Sequence, residues 1–361
     1  MTIKTALEKI SVQKRISFDE AMALFSHADL LDLGEAADGV RRLKHPDETV
    51  TFLIDRNINY TNICRNQCTF CAFYKTKDLP GAYVLSQEEI ERKVEETVQL
   101  SGTQVMLQGG INPDLTIDYY TEMFSGIKEK FNIRIHSLSP PEIVHIAETS
   151  GMTLGETLKE LRDAGLDSLP GGGAEVLADR VRQKISPKKI SSSQWLEVME
   201  EAHRLNIRTT ATMMFGTVET GEERILHLQK IRDLQDRTGG FMSFIPWTFQ
   251  PGNTALGGKP VSSLEYLRTL AISRLFLDNF DNVQGSWVTQ GKDIGQLCLT
   301  FGANDLGSIM IEENVVRAAG ISHRITVEEM VALIHKAGKV PAQRDTEFNI
   351  LRVFAQSKKC N

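Results

Sequence analysis

The sequence predicts an α/β barrel of eight parallel strands, and three observations lead there. Short β-rich runs alternate with helical segments along most of the 361 residues, and parallel strands need helical crossovers of this kind. The runs recur about eight times, the number at which a parallel sheet closes on itself. Stretches rich in glycine, proline or cysteine follow successive runs, at the strand ends where such a barrel gathers its chemistry. A doubly wound open sheet is the structural alternative.

Residues 1–50 read as an N-terminal helical cap. In SFDEAMALFSHA, from Ser17, Asp19 and Glu20 suit a first turn while Ala21, Leu24 and Phe25 share a face. The barrel is expected over 51–320, with candidate strands at 51–60, 103–110, 133–139, 166–172, 207–216, 241–249, 282–290 and 307–313. Ser86 with Glu89 forms a capping-box pattern before Ile90, Val94 and Val98, and Gly102 is placed to end that helix. Thr153 with Glu156 repeats the pattern before Leu158 and Leu161, ending at Gly165. Ser139-Pro140-Pro141, Gly171 to Glu175, Gly216 to Glu219 and Gln250-Pro251 mark further strand ends. Residues 321–361 are expected to add C-terminal helices packed on the barrel. No Pro/Ser-rich linker interrupts 51–320, which argues against a domain boundary there.

Charged residues make up 24% of the chain with both signs interspersed, and the net charge is −6. That balance gives no field for capturing nucleic acid or an anionic membrane, so a small-molecule substrate is expected. The N-terminus lacks the apolar core of a signal peptide, and no run approaches the ~18 apolar residues of a membrane span. The expected location is the cytoplasm.

In YTNICRNQCTFCAFYK, from Tyr60, three of the five cysteines, Cys64, Cys68 and Cys71, fall within eight residues. Clustered thiols in a reducing compartment indicate metal or catalysis. A zinc ribbon needs two such pairs, and a ferredoxin run supplies four thiolates. Here the pattern is C-x3-C-x2-C with no second cluster. Cys298 sits among Ile294, Leu297 and Phe301 at helical spacing, the setting of a core thiol, and Cys360 adjoins the C-terminus. Three thiolates on a four-iron cluster leave one iron open to a chelating ligand.

This spacing, with Phe70 before the last cysteine, resembles the radical S-adenosylmethionine superfamily. The resemblance implies a TIM-like barrel of the radical SAM type, a [4Fe-4S] cluster on Cys64, Cys68 and Cys71, and S-adenosylmethionine chelated to the open iron as the source of a 5′-deoxyadenosyl radical. Gly109-Gly110 resembles the glycine-rich motif that receives the methionine amino group, with Ile111 where an acidic residue is usual. Met214, Gly216 and Glu219 resemble the stretch beside the adenine. Glu175 and Arg180 match groups that meet the ribose hydroxyls and the methionine carboxylate, Arg182 competes with Arg180 for that role, and Phe73 and Tyr74 flank the cofactor.

The resemblance runs from about residue 50 to 350 and narrows through NINYTNIC, LQGGINPDL, HSLSPPEI, PGGGAEVLADRVR, TTATMMFGTVET, FIPWTFQP, SWVTQG and FGANDLGS. Together these are similar to the dehypoxanthine futalosine cyclase family of menaquinone biosynthesis, whose sister families are the aminofutalosine synthases and the radical components of deazaflavin synthesis. The implied substrate is dehypoxanthine futalosine, and the implied electron donor is a flavodoxin or ferredoxin. Expected pocket residues are Phe73, Met213, Phe244, Trp247, Gln250 and Trp287, with His136, Ser137, Ser139, Thr289, Asn304 and Ser308 as polar contacts. Glu219 or Asp305 is the expected base, and His136 is the histidine expected nearest the chemistry.

Overall fold

The computed structural model describes residues 3–354. Three helices come first, α1 (Ile3–Ser11), α2 (Phe18–His27) and α3 (Leu30–Lys44), and strands β1 (Thr49–Leu53) and β2 (Asp55–Ile58) follow almost without a break. The chain then alternates through α4 (Gln87–Gln99), β3 (Gln104–Leu107), α5 (Ile117–Lys130), β4 (Arg134–Ser137), α6 (Pro140–Ser150), α7 (Leu154–Asp163) and β5 (Ser168–Leu169). It continues with α8 (Asp179–Ile185), α9 (Ser192–Arg204), β6 (Arg208–Phe215), α10 (Gly221–Thr238), β7 (Phe241–Thr248), α11 (Ser263–Phe276) and β8 (Asn282–Val283). The last part holds α12 (Trp287–Gln290), α13 (Lys292–Cys298), β9 (Asp305–Ser308), α14 (Val315–Ala318), α15 (Val327–Lys336), β10 (Val340–Arg344) and β11 (Ile350–Val353).

Strands β2 to β8 form a curled seven-stranded parallel sheet in sequence order. The stretch around β9 closes it. On one side Asn304 N donates to Val283 O at 3.1 Å and Gly285 N to Asp305 O at 2.9 Å. On the other, Ile309 N donates to Leu53 O at 3.1 Å and Ile311 N to Asp55 O at 3.0 Å. With β1 and β2 acting as one bent strand, the expected eight-stranded barrel results, and its strands are buried on nearly every residue because helices cover the outside. The N-terminal helices dock on this shell: Arg268 Nη1 donates to Ala28 O at 2.8 Å and Arg232 Nη1 to Ile16 O at 3.1 Å.

Local sequence signals are realised in detail. Ser17, Ser86 and Thr153 all make reciprocal capping boxes. Four expectations need correction. Val98 does not share the buried face of α4 with Ile90 and Val94 but is 43% exposed. The left-handed position after α4 belongs to Ser101 (φ 61°) rather than Gly102, whose missing Cβ is needed instead because that atom would lie 2.8 Å from Thr97 O. The run 282–290 is a strand only at Asn282–Val283, and Trp287–Gln290 coil into α12. The C-terminal segment is not helical throughout: after α15, strand β10 pairs in parallel with β1 and turns back through β11. Cys360 lies outside the described residues.

The β10 strand carries Arg344, which is 4% exposed and forks onto Asp305 at 2.6 and 3.1 Å. Thr51 Oγ1 donates to the same carboxylate at 2.5 Å, so one ion pair links β1, β9 and β10. Removing one partner of a buried pair leaves an uncompensated charge, at about 3–5 kcal/mol. The Arg344→Met variant is therefore expected to lose about that much stability in urea unfolding, with Asp305→Leu in the same chain restoring most of it.

Candidate active site

The three clustered cysteines lie on the loop that leaves β2, and none is in a disulfide. Backbone bonds hold the loop at both ends and in the middle. Cys64 N donates to Lys75 O at 3.0 Å, Arg65 N to Ile111 O at 2.9 Å, Thr69 N to Ile185 O at 2.9 Å, and Leu256 N to Thr69 O at 2.7 Å. Gly110 N donates to Thr61 O at 2.9 Å, which locks the glycine turn after β3 against the thiol loop. A Cβ on Gly110 would stand 2.2 Å from Ile63 O, so only glycine permits this approach. Gly109 N donates at 3.0 Å to Glu142, which also accepts from Tyr60 Oη at 2.6 Å and Ser139 N at 2.7 Å. Glu142, from α6, thus anchors the glycine turn from the neighbouring strand end.

Burial pushes the Cys68 thiol up to about 12 against the opposing charge of Lys189, and neighbouring Cys64 and Cys71 raise it further. Burial also raises Cys71. The three thiols are near enough to act on one another, yet among the described residues no three His, Cys, Asp or Glu side chains converge on an ion-sized point. Three thiols on one loop match the ligand count of a four-iron cluster with one open iron, whose irons would stabilise the thiolates that burial disfavours. Beside Cys68 stands no fourth thiol but Lys189, with Nζ 2.8 Å from Glu175 Oε1 and 5.3 Å from the Phe70 ring centre. Cys298 is, as expected, a core thiol in α13, its Sγ 3.0 Å from Ile294 O.

Inside the barrel lies a cavity of about 280 Å³. Of the residues expected at the site, His136, Glu175, Trp247, Thr289 and Ser308 line it. His136 Nδ1 lies 2.7 Å from Ser168 Oγ, and burial, with Arg344 nearby, lowers its pKa to about 3, so the ring is neutral. Glu175, at φ 41°, is held between Lys189 and Arg182.

The other expected residues stand elsewhere. Glu219 is occupied by Gly216 N (2.6 Å), Thr217 N (2.9 Å) and Arg224 (2.9 Å), so it braces the turn after β6. Asp305 is consumed by the Arg344 pair. Neither carboxylate is free to act as a base. Arg180 is 46% exposed and paired with Glu223 on the surface, and Arg182 is spent on the carbonyls of Ala174 (2.7 Å) and Ile190 (2.6 Å). Asn304 receives Arg274 at 2.6 Å, Ser137 donates to Leu107 O at 2.6 Å, and Trp287 Nε1 donates to Ser308 O at 3.1 Å. Gln250 bonds Thr248 Oγ1 at 3.0 Å, and Met213, Met214 and Phe244 are core. Phe73 and Tyr74 are half-buried on the thiol loop.

The cavity is instead walled by residues that the sequence reading passed over, chiefly Asp55, Asn57, Gln104, Gln108, Thr210 and Thr212. Their signal was present: polar side chains at alternate positions of strands otherwise apolar point to one interior face. No local signal marks Lys189 or Arg344.

A closed parallel barrel that presents three thiols on its first βα loop, with a backbone-locked glycine turn beside them and a mainly apolar cavity carrying a few polar groups inside, defines the class of iron–sulfur barrel enzymes that work through radicals. The chain belongs to the radical SAM superfamily, whose sequence profile matches residues 58–231, and the CofH/MqnC C-terminal region matches residues 238–357. It is 48% identical to a cyclic dehypoxanthine futalosine synthase of Halalkalibacterium halodurans, covering 98% of this chain and 96% of that protein. It is 49% identical to a Streptomyces coelicolor protein of the same name, covering 97% and 89%. A 5-amino-6-(D-ribitylamino)uracil–L-tyrosine 4-hydroxyphenyl transferase of Archaeoglobus fulgidus is 44% identical over 87% of this chain and 92% of its own. Among solved structures, methylornithine synthase shares the fold at TM-score 0.74 and 21% identity, covering 93% of this chain and 97% of that one. Radical SAM enzymes bind a [4Fe-4S] cluster and S-adenosylmethionine, and Cys64, Cys68 and Cys71 are the residues here that would hold the cluster.

Two outcomes test this site. Anaerobic reconstitution is expected to load about four irons, with Cys68→Ala losing them and Cys298→Ala keeping them, as read by iron and sulfide analysis. Because the folded pKa of His136, about 3, lies below its ordinary 6.5, the unfolded chain binds the proton more readily. Its contribution to stability is thus present above pH 6.5 and is lost as the pH falls towards 3. His136→Gln is expected to flatten the decline of unfolding free energy between pH 6.5 and 4, by up to about 1.4 kcal/mol per pH unit.

Proposed function

We propose that this protein converts dehypoxanthine futalosine to cyclic dehypoxanthine futalosine in menaquinone biosynthesis. The reading is carried by the likeness, at 48–49% identity over nearly the full length of both chains, to two proteins with that activity in their names. The sister transferase follows at 44% over a shorter span. When bound, the cluster and S-adenosylmethionine would supply a 5′-deoxyadenosyl radical able to take hydrogen from the 4′ carbon of the substrate, so that the sugar radical adds to the benzoate ring. The aromatic ring would be restored by return of one electron to the oxidised cluster and release of one proton to water.

The chain's own residues supply enclosure and placement. A carbon radical must meet its target without solvent, and a cavity inside the barrel walled by Met106, Ile245, Trp247 and Val288 serves that need. Thr210, Thr212, Ser243 and Thr289 offer neutral polar contacts that hold a hydroxylated substrate without introducing a titrating group. We assign the one-electron supply to a flavodoxin or ferredoxin and the location to the cytoplasm.

The deciding assay gives the reconstituted enzyme a reductant, S-adenosylmethionine and dehypoxanthine futalosine. Consumption of the substrate with one 5′-deoxyadenosine formed per cyclic product is expected. Turnover only with an aminofutalosine-type or tyrosine-derived substrate would replace this reading with that of a sister enzyme.

A further inference from the structure

Several described residues keep a buried side-chain polar atom without a hydrogen-bond partner, among them Arg41, Thr103 and His145, but of all of them only Asp55 also lines the central cavity. Asp55 opens β2 and pairs in register with Gln104 at the start of β3. It is 3% exposed, its Oδ2 accepts from Gln104 Nε2 at 2.7 Å, and its Oδ1 has no partner. Gln104 is in turn fixed by Thr346 Oγ1 at 2.8 Å. The thiols follow the far end of β2, beyond Ile58, so Asp55 lies about one strand length, ~10 Å at ~3.3 Å per residue, below them. It stands at the floor, where Arg344, Thr346 and Phe348 also face the cavity.

A buried carboxyl oxygen without a donor is costly, and burial raises the Asp55 pKa against the lowering effect of the nearby Ser308 hydroxyl and the Gln104 amide. The other charges facing the cavity are already matched. Glu175 holds Lys189, Glu313 accepts from Val315 N and Val316 N, each at 2.9 Å, and Arg344 holds Asp305. No free cation remains for Asp55 among these residues, and like charge keeps a substrate carboxylate away from it. Hydroxyl donors meet its need.

We infer that Asp55, positioned by Gln104, accepts hydrogen bonds through Oδ1 from hydroxyl groups of the substrate's sugar-derived end, and so sets which end of the substrate reaches the barrel floor. This rests on the reading of the substrate as dehypoxanthine futalosine, whose hydroxyls and ring carboxylate lie on opposite parts of the molecule. The sugar end then lies on the floor with its 4′ carbon turned upward, and the anionic ring is held off Asp55.

The test is calorimetric titration of the reconstituted holoenzyme with dehypoxanthine futalosine and with analogues in which single sugar hydroxyls are replaced by hydrogen. Asp55→Asn is expected to weaken binding of the parent compound about 10–100-fold, with iron content unchanged. At least one deoxy analogue should show a similar loss on the wild type and no further loss on the variant. Equal affinity of variant and wild type for the parent overturns the inference while leaving the proposed function standing. Failure of the wild type to bind the parent at all overturns the function instead. Should Asp55→Asn not fold, the wild type decides alone, because equal binding of parent and every deoxy analogue overturns the inference.

Discussion

The Asp305–Arg344 pair is the interaction on which the rest of the structure depends. It joins the strand that opens the barrel, the strand that closes it and a strand from the last twenty described residues, all through one carboxylate. A buried ion pair is weak evidence for stability, because desolvation consumes much of its Coulombic gain. Its value here is placement. With both charges spent on each other, the floor of the barrel carries an arginine that attracts no anion.

The same accounting explains why the site was only partly legible in the sequence. Thiols at a fixed spacing identify themselves, because cluster ligation depends on residue type and local separation alone. Carboxylates do not. Glu219, Asp305, Glu175 and Asp55 look alike as letters, and their roles differ through the partners that the fold gives them: Arg224, Arg344, Lys189 and, for one oxygen of Asp55, none. Pairings across 39 residues, as between Asp305 and Arg344, leave no periodic trace. What did leave a trace was the alternation Asp55, Asn57 and Thr210, Thr212, a period-two polar face inside apolar strands.

The fold was more legible than the site because its signals are local and repeated. Capping boxes at Ser86 and Thr153 appear as read, since reciprocal capping needs only four adjacent residues. The barrel followed from alternation and number. Errors fell where tertiary contacts outweigh local preference. Residues 287–290 have strand-like composition but coil under the constraint of the neighbouring Gly291, at φ 84°, and the C-terminal segment gains strands because the edge of β1 is available to pair.

That C-terminal hairpin has a consequence for how such enzymes diversify. The thiols and the glycine turn lie in the first third of the chain, whereas Arg344, Thr346 and Phe348 on the cavity floor come from its end. The two stretches meet only in three dimensions. Substitutions at the floor can thus reshape the cavity while the thiol loop above remains untouched.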